Sequence, residues 1–273
     1  MSATALNPTP TRSPPPPVPA TQPSWILPEP GPSFEEIRLF RKQRLAASLR
    51  LFALYGFDHG PAGHITVRDP EWTDHFWINP LGQYFGHVRV SDLLLVNHDG
   101  AIVIGNRPVN QAGFQIHSAI HKARPEVIGV AHSHSTYGKA WSTLGRTLDP
   151  LTQDSAFYYG KQALSDFTGV VLEADQAQKL VADIGDSNYA ILKNHGLLTA
   201  GLSVETAAWN FIALDNAART QLLAEAAGKP IPIPDDVARF TGGQNMGARV
   251  DLGRYGFQPL YERITAEQPD LLD

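Results

Sequence analysis

The chain has 273 residues, a formal net charge of −5 and an isoelectric point near 6.0. That length is ample for one large domain or two small ones, and no basic excess marks the chain for nucleic acid or an anionic membrane. There is no cysteine, which excludes disulfides and thiolate metal sites and suits a reducing, cytoplasmic compartment.

Half of the 22 prolines lie within the first 32 residues, including Pro14 to Pro17. Such a segment has little apolar surface to bury and samples extended polyproline conformations, so residues 1–33 are expected to be a disordered leader. Its one basic residue, Arg12, and the lack of an apolar core argue against a secretory signal. No apolar run anywhere approaches the roughly 20 residues that span a bilayer.

An ordered domain is expected over residues 34–230. Ser33, with Glu36 three residues on, forms a capping-box pattern, and Phe34, Ile37, Leu45, Leu49 and Phe52 make a rough helical stripe ending at Gly56. Short strand-like runs follow at 64–67, 76–79, 93–96 and 101–104. Asn79-Pro80 and Asp99-Gly100 punctuate them, the second as a hairpin signal. Residues 111–123 read as a helix stopped by Pro125, and 127–131 as a buried strand. The stretch 141–170 is rich in turns, with a strand read at 151–157. A helix at 175–184, a strand at 189–192 and a long helix from Ser203 to about Ala227 complete the domain. The tail, 231–273, has scattered apolar residues without a clear period and is expected to pack on the domain or a neighbouring subunit, or to stay loose. Helices alternating with short, hairpin-linked strands imply a layered α/β domain with a largely antiparallel sheet.

Two histidine motifs carry the chemistry. His132-Ser133-His134 ends the apolar run 127–131, and strand side chains repeat every second residue, so both imidazoles project from one face. Asn194-His195-Gly196 ends a second apolar run and offers a third. Three imidazoles suit Zn, Fe, Ni or Cu better than Mg or Ca, which take oxygen ligands.

At these residues the chain resembles the class II aldolase/adducin superfamily. The matching pieces are Asn110 to Phe114, His117 to His121, Ala123 to Glu126, Ala131 to His134, and Asn194 to Leu197 with the helix after it. The resemblance implies a three-layer αβα sandwich around a mixed, mainly antiparallel sheet. It also implies one divalent transition metal, zinc or iron, on His132, His134 and His195. Members of the family are often tetramers acting on small molecules, so a homotetramer is expected.

Departures from the sugar-phosphate aldolases are informative. Their acid/base glutamate reads Gly113 here, which can neither move a proton nor bind a cation. Their phosphate cradle reads Leu81-Gly82, Gln111-Ala112 and His64, with several hydroxyl donors gone. A phosphorylated sugar is therefore not the expected substrate. The Asn-x-Ala-Gly-Phe pattern is closer to adducin, whose related domain is non-catalytic. The run Ser133 to Gly138 and Asp149 to Asp154 resembles a bacterial branch with non-haem iron enzymes that oxidatively decarboxylate aromatic 2-oxo acids. The reading is a metal enzyme acting beside a carbonyl on a non-phosphorylated 2-oxo or 2-hydroxy acid, as lyase or oxidative decarboxylase. A non-catalytic adducin-like module is the alternative. His64, Gly82, Gln111 and Gly113 are the expected substrate-binding positions. Tyr158, Tyr159, Asp154, His64 and His121 are the expected replacements for the missing glutamate, the tyrosines from a region that reaches a neighbouring subunit's site in relatives. Gly113 is read as opening space above the metal for water, substrate or O2. The alternative there is that His64 or His121 already fills that space and Gly113 only allows close packing.

Overall fold

The computed structural model describes Glu29, Gly31 and residues 33–247 and 252–273; the rest of the expected leader lies outside the described residues. The first half of the domain runs α1 (Phe34–Leu54), β1 (His64–Arg68), β2 (His75–Ile78), β3 (Leu94–Asn97), β4 (Ile102–Ile104), α2 (Gln111–Ala123) and β5 (Gly129–Ser133). Next come α3 (Thr136–Ser142), α4 (Gln153–Ala156), β6 (Gln162–Ser165), α5 (Ala174–Ile184), β7 (Tyr189–Leu192) and β8 (Gly196–Gly201). The chain closes with α6 (Val204–Ala227), α7 (Asp235–Gly247) and α8 (Leu252–Glu267).

One eight-stranded sheet, in the order β4-β3-β2-β1-β5-β8-β7-β6, forms the middle layer. Strand β6 joins β7 in parallel and the other pairings are antiparallel. Strand alternation shows why both faces are covered. Ile65, Trp77, Leu95, Ala131, Ile191 and Leu197 pack with α1, α6 and α8. Their neighbours Val130, Ala190, Leu192 and Leu198 pack on α2 and α5, and Phe76, Ile78 and Leu94 on Phe114 of α2. A strand apolar at both parities must be sandwiched, which gives the three-layer αβα arrangement.

Most sequence-derived elements recur within a residue or two. Residues 151–157 do not: they hold the short helix α4. Thr152 Oγ1 accepts from the Ser155 backbone N–H at 3.2 Å while Ser155 Oγ accepts from that of Thr152 at 3.0 Å, and this reciprocal cap starts a helical turn. A short apolar run cannot by itself distinguish the two states.

The tail is helical and shares the main core. Phe257, Ile264 and Leu271 are fully buried with α1 and α6, and Arg50 of α1 reaches Gln268 and Asp270, each at 2.9 Å. In the leader, Glu29 takes two hydrogen bonds from buried Arg41, at 2.9 and 3.1 Å.

Candidate metal centre

The site sits where β5 and the β7–β8 hairpin reach the same end of the sheet. Val130 faces the α2/α5 layer, so His132 does too. Across the antiparallel β1–β5 pairing His132 lies directly opposite His64, and the two rings tilt together with centroids 5.0 Å apart. The hairpin between Leu192 and Gly196 closes through the His195 N–H to the Leu192 carbonyl, 3.0 Å, with Asn194 left-handed at φ 58°. Asparagine tolerates that conformation better than most residues. A Cβ on Gly196 would meet the Ser133 carbonyl at 3.1 Å, so glycine there lets the hairpin lie against β5.

This geometry gathers His132, His134 and His195, whose ring nitrogens all lie within 4.8 Å of one another. His132 Nδ1–H donates to the Leu197 carbonyl at 2.7 Å, which fixes the tautomer and leaves Nε2 as a lone pair. Burial, then the surrounding imidazoles, drives the His132 pKa well below the usual histidine value. Burial and His134 push His195 down to about 4, and His134 is lowered by burial, Lys139 and His59. Around neutral pH the group therefore presents three uncharged nitrogen donors. They line a cavity of about 530 Å³ with His64, Leu81, Gln111, Ala112 and Lys139, and no Asp or Glu is among the lining residues. Uncharged imidazole donors fit a divalent transition metal and leave its charge uncancelled.

Behind His64 runs a buried chain of hydrogen bonds. His64 Nδ1 meets His117 Nε2 at 2.7 Å, His117 Nδ1 meets Thr66 Oγ1 at 2.7 Å, and Thr66 Oγ1 meets His121 Nε2 at 2.9 Å. Thr66 shares a strand face with His64, while His117 and His121 lie one turn apart on α2, which places all four together. Burial, then neighbouring charges, keeps all three histidines neutral. Each then carries one ring proton, so the direction of the chain determines whether His64 Nε2 donates or accepts.

Gly113 does not open space above the histidines. A Cβ there would lie 2.4 Å from His64 Cδ2 and 2.9 Å from Nε2, so the His64 ring occupies the room a longer residue would need. The alternative, in which His64 fills that space, is the one the geometry favours. Gln111 and His64 line the cavity. Gly82 occupies a turn at φ 77° beside the lining residue Leu81. His121 reaches the site only through Thr66 and His117.

The other expected catalytic residues stand apart in their own chain. Tyr158 and Asp154 line a second cavity, of about 730 Å³, with Tyr55, Trp209 and Arg219. Tyr158 is buried edge-on against Tyr189, with centroids 4.9 Å apart, and burial raises its pKa, making it a poor proton donor. Tyr159 donates to Asp235 of α7 at 2.8 Å. The turn of α4 directs this segment towards α6 and α7. Sequence reasoning missed Lys139 on α3 and the loop 166–172, whose Phe167, Val170 and Leu172 are exposed and line the histidine cavity. The loop's density of apolar residues around Gly169 was the available signal.

The profile of the Class II Aldolase and Adducin N-terminal domain matches residues 43–222. Decarboxylase NovR of Streptomyces niveus is 46% identical over 242 residues, 88% of this chain and 89% of that protein. The 4-hydroxy-3-prenylphenylpyruvate oxygenase/4-hydroxy-3-prenylbenzoate synthase of Streptomyces roseochromogenus subsp. oscitans is 44% identical over 88% of this chain and 87% of its own. Among solved structures, L-fuculose 1-phosphate aldolase from Glaciozyma antarctica PI12 superposes with a TM-score of 0.83 at 42% identity, covering 91% of this chain and 98% of that one. This chain belongs to the class II aldolase and adducin N-terminal domain family.

Proposed function

We propose that the chain is a decarboxylase of a non-phosphorylated aromatic 2-oxo acid, working with dioxygen through iron held by His132, His134 and His195. The observation that carries this reading is the donor set: three uncharged imidazoles converging on a cavity with no carboxylate. When bound, a dication on such donors polarises the oxygens of a 2-oxo acid, and iron adds reactivity towards dioxygen that zinc lacks. For an acid with a methylene beside its carbonyl the balance is R–CH2–CO–COO⁻ + O2 → R–CH(OH)–COO⁻ + CO2. The bond to the carboxyl carbon breaks. One oxygen atom becomes the hydroxyl, the other joins the new carboxylate, and dioxygen takes up four electrons.

The chain's own residues have distinct parts. The Leu197 carbonyl orients His132, and His64 Nε2 meets substrate oxygen with its proton placed by the His117–Thr66–His121 chain. Leu81 and Ala112 supply apolar wall in place of side-chain phosphate donors. The two Streptomyces relatives, one named a decarboxylase and the other an oxygenase, support the reaction class. A cytoplasmic homotetramer belongs to the same proposal. The exposed apolar edge strand β4, with Ile102, Val103 and Ile104 at 38, 53 and 44% exposure, supports self-association.

The test gives iron(II)- and zinc-loaded protein 4-hydroxyphenylpyruvate, its 3-prenyl derivative and L-fuculose 1-phosphate. Iron-dependent CO2 release with one O2 consumed supports the proposal. Cleavage of the sugar phosphate, with no CO2 from either 2-oxo acid, refutes it.

A further inference from the structure

The histidine cavity carries an unbalanced positive charge of its own. Lys139, one turn into α3 and five residues after His134, is the one Lys or Arg side chain among its described lining residues. Its ammonium has no ion-pair partner among the described residues, whereas nearby Lys193 and Arg146 are paired with Asp166 and Asp149 at 2.7 and 2.9 Å. A free ammonium beside a site suited to a dication repels that ion. An anionic ligand shared by both turns the repulsion into attraction.

Another part of the cavity wall is apolar. Phe167, Val170 and Leu172 are 54, 65 and 49% exposed, clustered around Gly169, which is left-handed at φ 98°. The loop is held at its ends by the Asp166–Lys193 pair and by Gln176, whose side chain bonds the Thr168 carbonyl and the Leu172 N–H at 3.0 and 3.1 Å. Three large apolar side chains left open at a cavity mouth are surface for an apolar ligand body to cover. A phosphate ester is less well served here: its several oxygens call for several donors, and Leu81 and Ala112 offer no side-chain donor.

We propose that Lys139 recognises the substrate's carboxylate and that loop 166–172 receives its apolar body, so the site selects a monocarboxylate with an aryl or comparable apolar group. The assignment rests on the 2-oxo acid reading above and adds the residues that select the substrate.

Binding without turnover tests it. Zinc-loaded protein held without oxygen is titrated calorimetrically with phenylpyruvate and with phenylacetone, which keeps the ring and ketone but lacks the carboxylate. Lys139→Met should weaken phenylpyruvate about 10- to 100-fold, the range of a lost charge-assisted hydrogen bond, and leave phenylacetone nearly unchanged. Lys139→Arg should restore most of the loss. Val170→Ser, which shortens the apolar surface without adding a charge, should weaken both ligands together, by about tenfold. Lys139→Gln replaces the Met variant should that fail to fold. Phenylpyruvate binding untouched by loss of the ammonium, absent in the wild type, or displaced as readily by inorganic phosphate as by phenylacetate would overturn the proposal. Lys139-dependent binding with no CO2 released from iron-loaded protein in air would instead overturn the decarboxylase reading and leave the carboxylate assignment standing.

Discussion

Replacing Gly113 by alanine probes the packing that distinguishes this site most sharply. Within a helix the change should help, since alanine outranks glycine by about 1 kcal/mol. Here the new Cβ would sit 2.4 Å from His64 Cδ2 and 2.7 Å from Cγ, closer than atoms tolerate. The ring has little freedom to retreat, being bonded to His117 at 2.7 Å on one side and set against the tilted His132 ring on the other. Overpacking of this kind costs about 1–3 kcal/mol, so the net effect is a loss of about 1 kcal/mol and at most about 2. In a domain of this size that lowers the melting temperature by about 2–8 °C. His64→Ala alone removes a buried ring and strands the His117 nitrogen, costing about 2–4 kcal/mol. In the double variant the alanine methyl enters the vacated space, so the two losses should not add; the coupling should be about 1–2 kcal/mol. Urea denaturation of the metal-free wild type, both single variants and the double variant closes the cycle. If Gly113→Ala stabilises the protein and the two changes add, His64 does not rest on Gly113 and the packing account is wrong.

Two further outcomes follow from charge. In the metal-free protein the folded His195 pKa, about 4, lies below the ordinary value near 6.5. Between those values the unfolded chain binds more protons than the folded one. This contribution to stability is therefore complete above about pH 6.5 and is lost as pH falls towards 4. The slope of unfolding free energy against pH in that window should shrink by up to one proton in His195→Asn; an unchanged slope would contradict a neutral His195. At the other end of the chain, a truncation beginning at Pro28 should melt like the full chain. One beginning at Ser33 also removes Glu29 from buried Arg41 and should cost about 1–3 kcal/mol. Equal melting temperatures for the two truncations would show that this pair contributes nothing.

The histidine site was legible because its logic is local. His132 and His134 follow from strand periodicity, and His195 from its place at the end of a second apolar run. The unbroken apolar runs at 127–131 and 189–192 likewise marked buried strands. The choice between the two readings of Gly113 was not legible because it depends on strand register. His64 is 49 positions away in the sequence, and only the β1–β5 pairing sets it against His132 and under α2. Lys139 was hidden by the brevity of α3, seven residues with no readable period. Loop 166–172 was hidden because its apolar residues face a cavity and obey no repeat. The tail did carry a signal, since Phe257 and Ile264, seven residues apart, fall on one buried face of α8. Within one chain Tyr158 packs on Tyr189 and Tyr159 donates to Asp235, contacts that no local sequence pattern announces.

The central claim is that His132, His134 and His195 together hold one divalent metal. Wild type and His134→Ala are loaded with iron(II) or zinc(II), desalted and analysed for metal per chain, with affinity measured by chelator competition. About one ion per wild-type chain is expected and, in the variant, an affinity lower by about a hundredfold or more, because no carboxylate lines the cavity to replace the lost ligand. Unchanged stoichiometry and affinity in His134→Ala would contradict it.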